Sequence, residues 1–233
     1  MRTPDSRFYC PKIDVGKFTL DENESNHAIR VCRTTIGDTL ELCDGLGHFA
    51  EGVVVKANPK ACEIRIEKFD TVSAERPKLN LAIACLKDDA LEEVVFHAAQ
   101  TEIDTIYFLR TDFSQEPKDS DLHKLVRRAE LKSLVSLKQS KKPWLTRIEG
   151  PVQFDDWLSR YEGDLVLCDI DGSHSVPMSE RKTTLLVGPE GGFSPREIEK
   201  IKAFQQGKTA LVNLGNTRLR ARTAAIIALG KFV

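Results

Sequence analysis

The sequence predicts an α/β fold in two parts, a small N-terminal β-barrel and a larger domain built on a mostly parallel sheet. Two observations predict this class. Short apolar stretches separated by turn signals occupy residues 1–75, and strand-like runs alternate with helical patterns from Leu79 onward. Residues 75–78 are expected to form a linker, because Pro77 lacks a backbone donor and restricts the preceding residue. The predicted domains are therefore residues 1–75 and 76–233.

The N-terminal part is predicted to consist of short strands and one helix. The strands are expected at residues 39–43, 52–56 and 62–66, and Asp44-Gly45 is a strong turn dipeptide between the first two. A helix is expected near residues 24–33. This spacing of short strands and turns favours a small barrel.

The C-terminal part is predicted to alternate strands and helices. Residues 79–86 form a nearly continuous apolar run, as in a strand that is covered on both faces. Helices are expected where apolar residues recur at helical spacing. The other predicted elements are strands at residues 105–109, 164–170, 184–187 and 209–214, and helices after Asp88-Asp89, at 121–138 and at about 222–230.

Composition places the chain among soluble globular proteins. Hydrophobic residues make up 41% and charged residues 30%, the net charge is −1, and no apolar run approaches the length of a membrane span. The N-terminal stretch lacks the apolar core of a signal peptide, so a cytoplasmic location is expected. The six cysteines and five histidines are scattered along the chain, which predicts reduced thiols, structural or exposed histidines and no metal site.

Positive charge is concentrated in two places. Residues 123–147 carry eight Lys or Arg against one acid, Glu130, and a second cluster consists of Arg218, Arg220 and Arg222. Two interpretations are open for these clusters. They neutralise the phosphates of a nucleic acid, or they form solvated surfaces that pair with acids elsewhere in the fold.

The most informative segment is the loop after the strand at residues 184–187. Glycines at 188, 191 and 192 permit backbone angles and close approach that a Cβ would forbid. A helix is predicted directly afterwards, with Ser194 as N-cap, Pro195 in the first turn and Glu197 completing a capping box. The loop is either a ligand cradle or a tight turn between strand and helix.

The residues of this loop argue against a phosphate ligand. The segment Gly188-Pro-Glu-Gly-Gly192 fits neither the dinucleotide fingerprint nor the P-loop, and Glu190 would repel a phosphate. A ligand that carries amine or sulfonium charge fits better, and S-adenosylmethionine is such a ligand. Ligands of open α/β sheets bind beyond the carboxyl ends of the strands, where loops also begin near Asp169 and Leu214.

Two segments together resemble the SPOUT-class RNA methyltransferases, and among them the RsmE family. They are LLVGPEGGFSPREIE at residues 185–199 and LGNTRLRARTAA at residues 214–225. The likeness extends over the whole chain through residues 6–9, 27–47, 81–104 and 137–140. It implies methylation of uridine N3 in 16S ribosomal RNA of the small subunit with S-adenosylmethionine. It also implies a PUA-like RNA-binding β-barrel, a trefoil-knot (SPOUT) domain that holds the cofactor, and a homodimer with the cofactor pocket near the subunit interface.

The resemblance assigns roles to individual positions. The implied cofactor-binding residues are Leu167, Cys168, Asp169, Val187, Gly188, Pro189, Glu190, Gly191, Gly192, Leu214, Gly215, Asn216 and Leu219. Arg220 is the implied substrate or catalytic contact, and Glu190 or a water molecule is the candidate base. The residues expected to bind RNA are Arg7, Arg30, Arg33, Lys124, Arg127, Arg128, Lys138, Lys141 and Lys142.

Several positions depart from the pattern of the family. Arg222 stands where the family usually has an acid, and Asn216 and Thr217 stand in place of a proline and an arginine. Phe113 occupies a position where the family commonly has an arginine. The departures at Arg222 and Phe113 motivate an alternative, a divergent and catalytically weak RNA-binding paralogue that keeps the fold. A nucleotide-dependent dehydrogenase fits poorly, because neither glycine fingerprint is present.

Overall fold

The computed structural model describes the backbone of residues 7–13, 16–73, 75–87, 89–115, 119–176 and 179–232. Ser6 and Asp88, which belong to stretches used in the sequence predictions, lie outside these residues. The described residues form two compact units. The first combines Met1–Glu75 with Leu134–Leu145, and the second combines Arg76–Ser133 with Thr146–Val233. The chain therefore returns to the first unit through the end of a long helix before it completes the second.

The first unit is built on a curled, five-stranded sheet. Its strands are β1 Phe8–Tyr9, β2 Lys17–Thr19, β3 Thr39–Cys43, β4 His48–Lys56 and β5 Glu63–Thr71, in the order β1-β3-β4-β5-β2. Only the β1–β3 pair among them is parallel. Among the described residues the sheet ends at β1 and β2, so it forms a half-barrel rather than a closed barrel. The core inside the curl includes Phe8, Leu40, Leu42, Val54 and Ile64, all fully buried.

The predicted N-terminal helix is present in two pieces. Helix α1 spans Glu22–Asn26, and the Asp21 side chain caps it by accepting a 2.8 Å hydrogen bond from the Glu24 backbone. A π-helical turn continues at His27–Val31. The segment ends before Arg33, which has a left-handed φ of 55°. The helical segment thus stops two residues earlier than the predicted end at residue 33.

The second unit contains a six-stranded sheet in which all recorded neighbours are parallel. Its strands are β6 Leu79–Ala84, β7 Ile103–Arg110, β8 Arg147–Gln153, β9 Asp164–Ser173, β10 Thr183–Val187 and β11 Thr209–Val212, in the order β11-β9-β10-β6-β7-β8. The helices of this part of the chain are α2 Ala90–Ala98, α3 Asp119–Ser140, α4 Phe154–Arg160, α5 Pro195–Lys202 and α6 Ala221–Phe232. Helix α3 is the one whose last turns belong to the first unit.

Both faces of the parallel sheet are buried, which explains the continuous apolar run at residues 79–86. Leu81 and Ile83 face a core shared with α2, α3 and α6. Ala82 faces the opposite core, which includes residues of α4 and α5. Alternate residues of one strand therefore pack into different cores, so both sets of positions are apolar in this part of β6.

The sequence did not predict β8 and α4. Strand β8 contains Gly150-Pro151, a pair that normally indicates a turn. It lies at the edge of the sheet, however, where a residue without a backbone donor is tolerated. In the part of the chain that the structure describes, no helix is long and apolar enough to cross a bilayer.

Candidate functional site

Three loops of the second unit meet at the carboxyl ends of the neighbouring strands β9, β10 and β11 and enclose a cleft of about 350 Å³. Strand β9 is distorted at this point. Its pairing with β11 jumps from Leu167 to Ser173 while β11 advances by one residue, from Leu211 to Val212. Residues 168–172 are thereby released from that ladder, and Cys168, Asp169 and Ile170 form one wall of the cleft. The position agrees with the expectation for open α/β sheets.

The middle loop is held by its own turn and by the helix that follows. The Gly192 backbone donates a 2.8 Å hydrogen bond to the Pro189 carbonyl. Gly192 has a φ of 75°, which favours glycine. The predicted capping box of α5 is confirmed, because Ser194 accepts from the Glu197 backbone and Glu197 accepts from the Ser194 backbone at 2.8 Å. Glu197 is completely buried, so the exit of the loop is fixed.

Asn213 ties the third loop to the first. Its side-chain amide donates to the Ile170 carbonyl at 2.6 Å, and its side-chain oxygen accepts from the Gly215 backbone at 2.7 Å. The Asn213 backbone also donates to the Ser173 carbonyl at 2.8 Å. The sequence predictions did not include Asn213 in the site. The sequence did contain a signal for this role, because Asn213 stands at the end of a strand, two residues before Gly215. Asparagine side chains in such positions often accept a hydrogen bond from the backbone of the second residue after them.

A second contact ties the third loop to the middle loop. The Arg218 guanidinium donates to the Glu190 carbonyl at 3.1 Å. The Glu190 side chain is exposed at the apex of the middle loop. All three walls are thus connected through hydrogen bonds that use backbone groups at one or both ends. The Glu190 carboxylate takes part in none of these bonds, and one oxygen of the Asp169 carboxylate accepts from the Asp171 backbone at 2.9 Å.

The chemistry of the cleft is that of a site for a neutral or cationic molecule. Its lining contains the carboxyl groups of Asp169 and Glu190, and the Arg218 guanidinium bonds to the loop backbone. Burial, reinforced by the nearby Asp169 carboxylate, raises the pKa of the Cys168 thiol to about 12, so this thiol stays protonated and unreactive at neutral pH. Glycines supply close backbone surface around these groups.

Most of the predicted cofactor residues lie together in this cleft. They are Cys168, Asp169, Val187, Gly188, Pro189, Glu190, Gly191, Gly192, Leu214, Gly215 and Leu219. Two predicted residues do not line it. Leu167 is buried in the core that includes residues of α4 and α5, because its side chain points to the opposite face of β9. Asn216 is exposed outside the lining. The lining also includes Thr217 and Arg218, which lie within the predicted loop at residues 214–219, and Ile170, Asn213, Ala221 and Ala224, which were not predicted.

The two arginines after Leu219 have different surroundings. Arg220 is exposed, and no side-chain partner is recorded for it among the described residues. Arg222 donates to Glu93 of α2 at 2.7 Å and does not line the cleft. The positive charge of Arg222, expected to reverse the charge beside the cleft, is therefore compensated by Glu93 on the neighbouring helix α2.

The loop after β7 is fastened to the start of α5. The Asp112 backbone donates to the buried Glu197 carboxylate at 2.9 Å, and the Asp112 carboxylate accepts from the Ser194 hydroxyl. Arg196 also donates to Asp112 at 2.7 Å. Hydrogen bonds from Arg196 and Ser194 hold the pKa of the Asp112 carboxyl below its ordinary value. The next residue, Phe113, is held against Gly191 of the middle loop.

The structure separates the predicted RNA-binding residues into two groups. The first group forms ion pairs within its own unit, in the pairs Arg7–Glu41, Lys138–Glu24, Lys141–Glu41 and Arg128–Glu92. Lys142 is buried and Lys124 is exposed. The second group consists of Arg30, Arg33 and Arg127, which are exposed and have no ion pair recorded among the described residues. The predicted role stays a prediction for all of them, and the second group has the side chains that are available to a phosphate.

Comparisons with known proteins agree with this arrangement. Residues 74–233 match the family described as RNA methyltransferase domain, and residues 20–67 match the RNA methyltransferase PUA domain. The chain is 29% identical to ribosomal RNA small subunit methyltransferase E of Mesomycoplasma hyopneumoniae, covering 76% of this chain and 78% of the relative. It is 27% identical to the protein of the same name from Mycobacterium tuberculosis, covering 96% and 89%.

Solved structures resemble the chain over nearly its full length. A Legionella pneumophila protein described as a methyltransferase, in complex with its cofactor SAM, gives a TM-score of 0.86 at 25% identity and covers 96% of this chain and 95% of that one. Ribosomal RNA small subunit methyltransferase E of Neisseria gonorrhoeae, bound to S-adenosyl methionine, gives 0.85 at 19% identity, with coverage of 97% and 95%. The predicted fold class, a PUA-like N-terminal sheet followed by an α/β domain of the SPOUT type with a parallel sheet, is confirmed.

Proposed function

The chain belongs to the RNA methyltransferase family that its residues 74–233 match, and from this premise we propose that it methylates N3 of a uridine in 16S ribosomal RNA with S-adenosylmethionine. The observation that carries the proposal is the cleft at the ends of β9, β10 and β11, which has a glycine-rich lining and two carboxyl groups. The relatives named as small subunit methyltransferases support the choice of RNA.

The cleft fits S-adenosylmethionine by size, shape and charge. Its volume of about 350 Å³ lies in the usual range for small-molecule sites. A Cβ on Gly188 would lie 2.9 Å from the Gly192 carbonyl carbon, so the loop backbone closes tightly on itself. A Cβ on Gly215 would meet nothing within 4 Å, which leaves open space above the third loop. Asp169 and Glu190 suit the positive charge of the amine and sulfonium groups.

The protein contributes position and electrostatics to the transfer. S-adenosylmethionine supplies a methyl group that is already activated by its sulfonium. Uridine N3 must lose its proton so that its electron pair can form the new bond to carbon as the carbon–sulfur bond breaks. To Arg220, which follows the cleft residue Leu219 but does not itself line the cleft, we assign the stabilisation of the negative charge that develops on the uracil ring. Glu190 or a water molecule takes the proton.

The remaining parts of the chain hold the RNA. N3 lies on the Watson–Crick edge, so the target uridine must be unpaired or extruded from a helix. We assign the surrounding RNA to the first unit and to the basic helix α3, with Arg30, Arg33 and Arg127 as the principal phosphate contacts. The proposal also includes a boundary between two functional domains at residues 75–76 and a homodimer in solution. It further includes a cytoplasmic location, where assembling ribosomal subunits are found.

One of the two observations that favoured a catalytically weak paralogue no longer supports it. It rested on Arg222 as a reversed charge beside the cleft and on Phe113 in place of an arginine. Because Arg222 pairs with Glu93, its positive charge is compensated outside the lining of the cleft. The departure at Phe113 remains as a motive for the alternative, and Phe113 is not among the residues that line the cleft.

Nucleoside mass spectrometry of 16S RNA tests the proposed function. RNA from cells with the gene is expected to contain N3-methyluridine that is absent after deletion of the gene and restored by a plasmid copy. An unchanged amount of N3-methyluridine after deletion would overturn the assignment of the target atom. A different methylated nucleoside that disappears with the gene would keep the enzyme class and change the position.

A further inference from the structure

We propose that Phe113 is a stacking platform for an unpaired nucleobase of the RNA substrate, beside the apex of the middle loop. This inference deepens the proposed function and rests on it. Phe113 is 51% exposed, more than any of the other phenylalanines of the chain. Exposure of a single apolar side chain means little by itself. Its position and its support carry the proposal.

The ring lies next to the cleft. A Cβ built on Gly191 would lie 3.6 Å from both Cβ and Cδ2 of Phe113, so the ring lies beside this glycine, where an alanine side chain would touch it. Gly191 itself lines the cleft. A base stacked on Phe113 would therefore lie next to the loop that forms one wall of the cleft.

The ring is held in place from both sides. Before it, Asp112 is fixed by Glu197, Ser194 and Arg196, all at the start of α5. After it, the Ser114 hydroxyl accepts from the Thr111 backbone at 3.1 Å and donates to the Thr111 carbonyl at 2.9 Å. A pre-positioned ring loses little conformational freedom when a base stacks on it.

The charges near the ring favour a base over a phosphate. Glu190, the residue before Gly191, presents an exposed carboxylate that repels a phosphate. The Arg218 guanidinium donates to the Glu190 carbonyl, and Arg196 is occupied by Asp112 and Asp155. A nucleobase is neutral and has a flat face, so it suits an aromatic ring in these surroundings.

Three substitutions test the platform. Phe113→Leu keeps the apolar volume and removes the aromatic face, Phe113→Tyr keeps the face, and Phe113→Trp adds a fluorophore at the same point. Phe96→Leu is the control, because Phe96 is a partly exposed phenylalanine of α2 in the second unit and lines neither the cleft nor a surface assigned to RNA. Small ribosomal subunits from cells that lack the gene serve as substrate, and calorimetry measures the affinity for S-adenosylmethionine.

Phe113→Leu is expected to raise KM for the subunit about tenfold, whereas Phe113→Tyr stays within about twofold of the wild type. The affinity for S-adenosylmethionine stays unchanged in both, and Phe96→Leu changes neither this affinity nor KM. Added single-stranded oligouridylate is expected to quench the additional emission that Phe113→Trp introduces. This quench does not require turnover, so it tests the platform independently of catalysis. A wild-type protein that transfers no methyl group would overturn the proposed function and leave the test of the platform intact.

Three results would overturn the platform. In the first, Phe113→Leu keeps the wild-type KM and the tryptophan shows no quench. In the second, Phe113→Leu weakens binding of S-adenosylmethionine as much as it raises KM, which would make the ring a support of the cleft. In the third, Phe113→Leu changes the oligomeric state in sedimentation, which would make a second copy of the chain the partner of the ring.

Discussion

At the scale of single residues, Arg220 and Arg222 provide a matched comparison. Both are charged and lie at the start of α6, but only Arg222 has a recorded partner, Glu93. Replacing Arg220 by alanine is expected to lower kcat about 100-fold or more, because it removes a donor to the developing uracil anion. The affinity for S-adenosylmethionine, measured by calorimetry, should not change.

The control for Arg220 is Arg222→Ala. Its ion pair with Glu93 is solvent-exposed, and such pairs contribute at most about 1 kcal/mol to stability. Its kcat is expected to stay within about twofold of the wild type. Equal losses of kcat in both variants would contradict the assignment of Arg220 as the substrate contact.

The residues of the site differ in how readily the sequence predicts them. Ser194 and Glu197 follow a local rule, the capping box, and the structure contains it. Leu167 was assigned to the site by the resemblance to the family, but adjacent residues of a strand point to opposite faces, and Leu167 faces the core. Asn213 bonds to Ile170, which is 43 positions away, and the residues around Asn213 in the sequence do not predict such a distant contact.

At the scale of elements, the middle loop requires glycine at position 188 more strictly than at position 191. A Cβ on Gly188 would lie 2.9 Å from the Gly192 carbonyl carbon and 3.0 Å from the Phe193 nitrogen, both in the backbone. Gly188→Ala therefore forces the loop to move, and the affinity for S-adenosylmethionine should fall about tenfold or more. Gly191→Ala has only side-chain contacts at 3.6 Å or more and should bind nearly as well as the wild type. Equal affinities in calorimetry would show that the loop is not the cofactor wall.

At the start of α5, the buried carboxylate of Glu197 is expected to make a large contribution to stability. Glu197 accepts hydrogen bonds from the Ser194 and Asp112 backbones. Replacing Glu197 by alanine leaves both donors without this acceptor, so the free energy of unfolding should fall by about 2–4 kcal/mol in denaturant titrations. Glu199→Ala on the exposed face of the same helix is the control and should cost less than about 0.5 kcal/mol. Similar values for both variants would contradict the role of Glu197 in fixing the loop.

Elements with a strong period were predicted, and short or interrupted ones were not. Strand β3 spans Thr39–Cys43 as expected, and residues 79–86 contain β6. Strands β1 and β2 have two and three residues, too few to show any period. The distortion of β9 next to β11 depends on pairing between distant segments, which periodicity does not encode.

At the scale of the whole molecule, binding of RNA and binding of cofactor are expected to respond to different substitutions. Arg30→Gln combined with Arg33→Asn removes two exposed charges of the first unit, and asparagine tolerates the left-handed backbone at Arg33. The slope of log affinity for 16S RNA against log salt should fall by about 1.5–2, with unchanged affinity for S-adenosylmethionine.

Arg65→Gln is the control for this pair, since Arg65 is exposed and already bonded to Glu67 at 2.8 Å. It should leave the salt slope unchanged in the same filter-binding measurement. A double variant with the wild-type slope would remove Arg30 and Arg33 from the RNA contact.

The fold class was predictable because alternating strands and helices specify an α/β architecture, and because two loop motifs together resemble one family. The strand order β11-β9-β10-β6-β7-β8 was not predictable from periodicity, because every strand of a doubly covered sheet has a similar apolar pattern. That Leu134–Leu145 belong to the first unit was also not predictable, because the first of these residues continue the helical pattern of α3.

The most direct test of the account is methyl transfer by the purified protein to small ribosomal subunits from cells that lack its gene. Radiolabelled S-adenosylmethionine supplies the methyl group, and the label in 16S RNA is counted over time. We predict that the wild-type protein labels 16S RNA until a single site is saturated, and that Arg220→Ala labels it far more slowly. No label in 16S RNA, under conditions in which the protein binds S-adenosylmethionine, would contradict the account.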